Sequence, residues 1–153
     1  MRRGLTVIDV RFKLVHFAAQ APRKNEYDMG YDFFVVPDEA FNGVKYVLEP
    51  GKSHLFHLGI ATAIALGYGC LLWDRSGLGA IDCVHSFAGV IDSGYRGEWK
   101  VRLHNFGPDA RVITVGDRII QGIFTEMINV DWKECDELPQ SLRGTGGFGS
   151  TGK

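Results

Sequence analysis

Short runs of β-branched and aromatic residues, separated by Gly, Pro, Asn and Asp roughly every ten positions, constrain the fold of this chain more than any other feature. In residues 6–17, polar and apolar side chains alternate, which is typical of a strand with one buried face. Further runs of this kind lie at residues 31–36, 45–48, 53–58, 68–73, 98–104 and 111–115. The pattern predicts an all-β barrel or sandwich.

Three other segments extend this prediction. Residues 61–66 are apolar and tolerate a helix, but they lie between two glycines and we interpret them as a strand. Residues 89–103 predict a β-hairpin, in which an apolar strand enters a turn that contains glycine and returns. Residues 116–124 predict a tight turn that leads into a buried strand.

The length of 153 residues suits one domain with its own core. We expect that domain over residues 1–138 and a detachable glycine-rich arm over residues 139–153. The arm contains the segment 143–152, in which a guanidinium, a ring and three hydroxyls accompany five glycines. Ordering so many glycines is costly in entropy, so we expect a ligand or a neighbouring subunit to order this segment. The alternative is a terminus that is simply disordered.

Composition excludes several classes of function. Seventeen basic and eighteen acidic residues leave a net charge of -1, so we expect neither nucleic acid nor a membrane surface as a partner. No stretch approaches the roughly 20 apolar residues of a membrane helix. The three cysteines lack the close pairs of a zinc site or a disulfide scaffold. These features predict a soluble, intracellular and cytoplasmic protein, in which the five histidines are structural or surface residues.

Polar residues suited to phosphate and water lie in four further places. Arg75 and Ser76 begin a glycine-containing segment that offers a guanidinium, a hydroxyl and backbone N–H groups. Asp92 lies in the turn that follows an apolar strand, where an aspartate also serves as an ordinary turn former. Gln121 interrupts an apolar run and needs a hydrogen-bond partner. Asp32 could orient magnesium-bound water, or belong to a solvated acidic loop.

Together these segments resemble the motifs of the trimeric dUTP pyrophosphatase (dUTPase) family in order and spacing. The matching segments are GYD at 30–32, RSGLG at 75–79, GVIDSGYRGE at 89–98, GDRIIQ at 116–121 and RGTGGFGSTG at 143–152. The resemblance implies a jelly-roll-like β-barrel that forms a homotrimer, with three active sites at subunit interfaces. Each site would be closed by the C-terminal arm of a partner.

The resemblance also implies a reaction, the hydrolysis of dUTP to dUMP and pyrophosphate. Asp92 would be the general base that activates water for attack on the α-phosphorus, and Gln121 would help to hold that water. Tyr95 would pack under the deoxyribose and exclude a 2′-hydroxyl. The backbone of Gly89, Val90 and Ile91 would pair with uracil.

The same resemblance assigns the phosphate contacts. Arg75, Ser76 and Gly77 would hold the phosphate chain, and Arg118 would brace the interface near it. Mg²⁺ would be the cofactor that bridges the phosphates, and Asp32 would reach it only through water. The residues of the arm that would close over the nucleotide are Arg143, Phe148, Gly149, Ser150 and Thr151.

Two positions depart from the family pattern. Asp74 stands where the family usually has proline, and it adds a negative charge that would weaken triphosphate binding unless a cation offsets it. Gly94 stands where a second acidic residue usually precedes the tyrosine, and it makes this stretch similar to that of the dCTP deaminases. Those enzymes carry a catalytic glutamate where this chain has Arg102. The alternatives are therefore another pyrimidine substrate, or a non-catalytic nucleotide-binding regulator that uses Trp99, Trp132 and residues 131–137 for contacts. A tryptophan on a strand, as we expect for Trp99, more often packs in a core.

Overall fold

A computed structural model describes residues 6–147 of the chain. It contains eleven strands, all paired in antiparallel fashion, and one turn of π-helix over Gly77–Ile81. The strands are β1 (Val10–Leu14), β2 (Tyr31–Phe34), β3 (Lys45–Leu48), β4 (Ser53–His57), β5 (Ile60–Ile64), β6 (Tyr68–Trp73), β7 (Val84–Phe87), β8 (Val90–Asp92), β9 (Lys100–Asn105), β10 (Arg111–Thr114) and β11 (Arg118–Glu126). The predicted all-β, jelly-roll-like class is confirmed, and residues 61–66 lie largely in a strand as expected.

Two sheets carry most of the structure that matters for function. The larger has the order β2-β11-β6-β8, and a three-stranded sheet has the order β4-β9-β7. Their inner faces contribute to one apolar core, in which Trp99 is fully buried and its ring centroid lies 4.9 Å from that of Phe33. In β9, for example, alternate residues lie in the core and on the outer face. In β1, for which the sequence predicts one buried face, residues 11–14 are all exposed in this single chain.

The predicted hairpin over residues 89–103 is wrong. β8 pairs with β6 at the edge of the larger sheet, whereas β9 lies between β4 and β7 in the other sheet. The chain leaves β8 before β9 begins, because Trp99 accepts the Leu58 N–H at 3.0 Å and donates its own N–H to the Ile60 carbonyl at 2.8 Å. Ala88 and Gly89, immediately before β8, both adopt positive φ, at 63° and 111°. β7 was not predicted from the sequence, because its residues alternate poorly.

The turn predicted before the last strand is confirmed. Asp117 donates its backbone N–H to the Thr114 carbonyl at 2.8 Å, and its carboxylate accepts from the Thr114 N–H at 2.8 Å. Gly116 has a φ of 87°, which favours glycine at this position. This turn starts β11 at Arg118, at the centre of the larger sheet.

The chain becomes exposed after β11. Residues 125–145 are all exposed, including the apolar side chains of Ile128, Trp132 and Leu138, which are 84% exposed or more. Within residues 6–147, no hydrogen bond joins residues 128–147 to the barrel. No helix in this range is long and apolar enough to cross a membrane.

Cys70 lies in β6 with its side chain buried in the core, and burial raises the pKa of its thiol from 9.0 to about 12. The unfolded chain therefore ionises this thiol above pH 9.0, while the folded chain keeps it neutral. We expect the contribution of this thiol to the unfolding free energy to be fully present below pH 9.0 and to be lost as pH rises toward 12. Under reducing conditions, the unfolding free energy of the wild type minus that of Cys70→Ala should fall by at most about 1.4 kcal/mol for each pH unit above pH 9.0.

Urea unfolding at pH 7 to about 10.5 measures this difference, and Cys135→Ala is the matched control because that cysteine is exposed. Parallel pH profiles for the wild type and Cys70→Ala would contradict the assignment.

Candidate functional site

Two arginines and an aspartate form a cluster at one end of the larger sheet. Asp32 lies in β2 and accepts from Arg75 Nε through Oδ1 at 2.7 Å, and from Arg118 Nη1 through Oδ2 at 3.1 Å. Arg75 also donates Nη1 to the Arg118 carbonyl at 3.1 Å. One carboxylate against two guanidinium groups leaves the cluster with net positive charge, which suits binding of phosphate oxygens.

Strand register brings Gln121 to this cluster. Gln121 pairs with Asp32 on one side and with Trp73 on the other, so its side chain lies on the same outer face of the sheet as theirs. Its Nε2 donates to the Asp74 carbonyl at 2.8 Å. The partner that the sequence required for this amide is therefore a backbone group, and one N–H and the amide oxygen remain for water or substrate.

The segment after β6 supplies further donors. Ser76 and Gly77 are exposed, and in the described part of the chain their backbone N–H groups donate to no other group. No atom lies within 4 Å of a Cβ built on Gly77, so its backbone is open to a ligand. Arg75, Ser76 and Gly77 thus present a guanidinium, a hydroxyl and free amides on one stretch.

A basic cavity of about 610 Å³ adjoins Asp32. Its lining includes Arg23, Lys24 and Arg118, and the acidic groups beside them are Asp28 and Asp32. This volume lies within the usual range for small-molecule sites. The sequence alone did not indicate the contribution of Arg23 and Lys24, because nothing in their local pattern distinguishes them from surface cations.

β8 is an edge strand with unused backbone groups. Leu72 donates its N–H to the Gly89 carbonyl at 2.7 Å, whereas the Gly89 N–H has no partner among residues 6–147. From this bond, antiparallel alternation directs the backbone groups of Ile91 toward β6 and those of Val90 toward the free edge. Gly89 and Val90 can therefore pair with the polar edge of a base.

Asp92 ends β8 and begins a turn, in which Tyr95 donates its N–H to the Asp92 carbonyl at 3.1 Å. Tyr95 donates its hydroxyl to the Glu98 carbonyl at 3.0 Å, and its ring lies over Gly97, where an added Cβ would come within 2.5 Å of the hydroxyl. The Asp92 side chain is exposed and makes no hydrogen bond or ion pair within the described residues. Asp92 is thus free to accept a proton from water.

Gly94 lies in the same turn and has open space around it. No atom lies within 4 Å of a Cβ built there, and its φ is outside the left-handed region. An acidic side chain would therefore fit at this position. The turn does not need glycine for steric reasons.

These two groups of residues are separated within one chain. Asp92 pairs with Gly69, at the opposite end of β6 from Trp73, which is the partner of Gln121. Strand rise and spacing place the Cα atoms of Asp92 and Gln121 roughly 16 Å apart. Side chains of this length cannot hold one water molecule across such a distance. Within one chain, these residues therefore form two separate groups, one at Asp92 and Tyr95 and one at the arginine cluster.

Asp74 does not add its charge to the arginine cluster. Its Oδ1 accepts from the backbone N–H and the hydroxyl of Ser86, at 2.7 and 2.6 Å, and its Oδ2 lies 2.8 Å from His85 Nδ1. The carboxylate is directed toward β7. The expectation that Asp74 weakens phosphate binding by direct repulsion is not supported by this orientation.

Two further histidines, besides His85, have carboxylate partners that the sequence did not reveal. His54 Nε2 lies 2.7 Å from Asp38 Oδ2, and His57 Nδ1 lies 2.8 Å from Glu98 Oε2. Glu98 also accepts the Gly59 N–H at 3.1 Å, so it ties the turn after Tyr95 to the end of β4. Local sequence does not indicate these pairs, because the partners lie 16 and 41 positions apart along the chain.

Within the described residues, the arm makes no hydrogen bond to Asp92, Tyr95 or the arginine cluster. Arg143 is exposed, and its Nε donates to the Gly146 carbonyl at 2.8 Å within the arm itself. The predicted contact residues Phe148, Gly149, Ser150 and Thr151 lie outside the described residues.

Comparison with known proteins places these features in context. A family model described as dUTPase matches residues 18–152. The deoxyuridine 5'-triphosphate nucleotidohydrolase of Anaplasma marginale (strain St. Maries) is 39% identical over 125 residues, which cover 80% of this chain and 82% of that protein.

Solved structures show the same architecture. A mutant dUTPase of Staphylococcus bacteriophage 80alpha with dUpNHpp is 25% identical, with a TM-score of 0.82 over 95% of this chain and 99% of that chain. A mutant dUTPase from phage phi11 of S. aureus, with a coordinated structural Mg(II) ion, is 22% identical, with a TM-score of 0.74 over 86% of this chain and 99% of that chain. At this identity, the phi11 structure supports the fold alone.

Proposed function

This chain belongs to the dUTPase family, and from that premise we propose that it hydrolyses dUTP to dUMP and pyrophosphate. The observation that carries the proposal is the cluster of Asp32, Arg75 and Arg118, with Gln121 beside it and free amides at Ser76 and Gly77. Pre-placed cations and N–H donors of this kind stabilise charge that develops on phosphate oxygens during phosphoryl transfer.

The proposed chemistry is the attack of water on the α-phosphorus. Asp92 acts as the general base, supported by its exposed carboxylate, which has no partner within residues 6–147. Gln121 holds the same water through its amide. Arg75, Ser76 and Gly77 hold the phosphate chain, and Arg118 keeps Asp32 and Arg75 in place.

The proposed base and sugar contacts come from β8 and the turn after it. The free N–H of Gly89 and the outward backbone groups of Val90 supply a donor and an acceptor for uracil. Ile91 directs its side chain into the core and supports the strand from below. Tyr95 offers a half-exposed ring for the deoxyribose. In the proposed binding mode, contact of the sugar with this ring excludes a ribose 2′-hydroxyl.

Magnesium fits this site as an ion held mainly by substrate. Among residues 6–147, no group of three or more His, Cys, Asp and Glu side chains could hold a metal ion by itself. Both Asp32 oxygens already accept from arginines, so Asp32 suits an outer position that contacts metal-bound water. When bound, Mg²⁺ supplies neutralisation of phosphate charge.

We further propose a homotrimer in which each site combines half-sites from different chains. The separation of roughly 16 Å between Asp92 and Gln121 supports this assembly, because neither half-site can complete the other within one chain. The exposed apolar side chains of Ile128, Trp132 and Leu138 support a partner-covered segment before the arm. The arm, residues 139–153, then closes a neighbouring site through Arg143 and the contact residues that follow it.

Mixed assemblies test this arrangement directly. Asp92→Asn disables one half-site and Arg75→Ala the other, so each variant alone should be nearly inactive. After the two are unfolded and refolded together in equal amounts, we expect about a quarter of wild-type activity, because about one site in four pairs two intact halves. Steady-state pyrophosphate release measures the recovery.

The matched control is a mixture of Arg75→Ala with Arg118→Ala, because both substitutions lie in the same half-site. That mixture should show no recovery of pyrophosphate release. Absence of recovery in the first mixture, with trimers present by light scattering, would place both half-sites of each active site in one chain.

Pyrophosphate release from dUTP, dCTP, dTTP and UTP with Mg²⁺ tests the reaction itself, with the nucleotide product resolved by chromatography. We expect selective conversion of dUTP to dUMP. A deaminated product from dCTP would instead establish the related deaminase activity. Binding without turnover of any of the four would establish a nucleotide-binding regulator.

A further inference from the structure

We infer that Asp74 is a positioning residue, which anchors the start of the phosphate-binding segment to β7 and thereby holds Arg75 and Gln121 in place. The inference rests on the proposed function, because it assigns a role within that same site. It concerns a position at which this chain departs from the family pattern.

The carboxylate of Asp74 is fully engaged by β7. Ser86 donates both its N–H and its hydroxyl to Oδ1, and His85 Nδ1 lies within hydrogen-bond distance of Oδ2. Within residues 6–147, Asp74 makes no hydrogen bond or ion pair through this carboxylate to Arg75 or Arg118. The group therefore serves as an anchor between strands and does not compete for the guanidinium groups.

The backbone of the same residue meets the catalytic half-site. Its carbonyl accepts from Gln121 Nε2 at 2.8 Å, and the next residue, Arg75, donates Nε to Asp32 at 2.7 Å. The peptide between residues 74 and 75 thus carries both the acceptor that orients Gln121 and the Cα of Arg75. A rotation of this peptide would displace both groups together, and small displacements of positioning groups are costly in rate.

Gly79 packs closely against the Asp74 side chain. The Asp74 side chain is 27% exposed, and a Cβ added to Gly79 would lie 3.0 Å from the Asp74 Cβ. A proline at this position would fix φ through its ring but could accept no hydrogen bond from β7. In this chain, three hydrogen-bond contacts from β7 restrain residue 74, where a proline ring would restrain it covalently.

Asp74→Ala, Asp74→Asn and Asp38→Ala separate positioning from stability. Asp38 is the matched control, because its carboxylate also meets a histidine at 2.7 Å and a backbone N–H at 2.9 Å, and neither partner belongs to the arginine cluster. We expect Asp74→Ala to lower kcat for dUTP by about tenfold to a hundredfold. Asp74→Asn should retain kcat within about threefold, because its amide oxygen still accepts from Ser86. Asp38→Ala should change kcat by less than about twofold, while lowering Tm by about as much as Asp74→Ala does.

A second measurement does not depend on turnover. Solvent exchange of the Arg75 Nε–H and of the Gln121 side-chain amide, followed by NMR, should accelerate in Asp74→Ala and stay unchanged in Asp38→Ala. Unchanged exchange in Asp74→Ala, or an equal loss of kcat in Asp38→Ala, would overturn the inference. If the wild type releases no pyrophosphate from dUTP, the proposed function fails, and the exchange rates still decide the role of Asp74.

Discussion

Asp92→Asn is expected to lower kcat for dUTP by about a hundredfold to ten-thousandfold, which is the range that general-base catalysis contributes. The asparagine amide has nearly the shape of the carboxylate but cannot accept a proton at neutral pH. The Asp92 side chain is exposed and makes no hydrogen bond in the described part of the chain, so its replacement leaves the fold unchanged. Affinity for the analogue dUpNHpp should stay within about threefold of that of the wild type.

Single-turnover rates and calorimetric binding of dUpNHpp measure the two quantities separately. Asp109→Asn is the matched control, because Asp109 is also exposed and has no side-chain partner within residues 6–147. Wild-type turnover by Asp92→Asn would remove Asp92 as the base. A large loss of analogue binding would instead assign it to substrate affinity.

Truncation after Leu142 is expected to lower kcat/KM for dUTP by about a hundredfold while leaving Tm within about 2 °C. The deleted segment holds Arg143 and the proposed nucleotide contacts of the arm. Residues 143–147 make no hydrogen bond to the barrel, so their removal takes nothing from the core. The contrast between a large kinetic effect and a small thermal effect identifies the arm as a closing element.

Arg143→Ala in the full chain shows how much of this loss comes from one guanidinium. Lys133→Ala is its matched control, since Lys133 is an exposed cation that, among residues 6–147, forms an ion pair only with the nearby Asp131. An equal kcat/KM for the truncated and full-length proteins would show that the tail takes no part in catalysis.

Local pattern was sufficient to predict most strands but not their pairing. Alternation in residues 10–14 and the apolar run at 60–64 predict strands, because each depends on side chains of neighbouring residues. The strand β8 pairs with β6 directly after two residues of positive φ, Ala88 and Gly89. An alanine at positive φ is uncommon, so the sequence favoured the more usual hairpin.

The candidate site could be predicted by residue but not by arrangement. Motif spacing indicated Asp32, Arg75, Arg118 and Gln121 separately. These residues lie together because β11 pairs with β2 on one side and with β6 on the other. No local sequence pattern predicts that strand order or its registers. The anchoring of Asp74 on Ser86 was unpredictable for the same reason, because it joins residues from two sheets.

The separation of the two half-sites also bears on inheritance. In the proposed trimer, a copy that is defective in both half-sites but still assembles spoils the sites it shares with each neighbour. Equal expression of intact and defective copies would then leave about a quarter of the normal activity, where independent sites would leave about half. A doubly defective copy would therefore lower activity by more than its share of the copies, because Asp92 and Gln121 lie too far apart in one sheet to serve the same site.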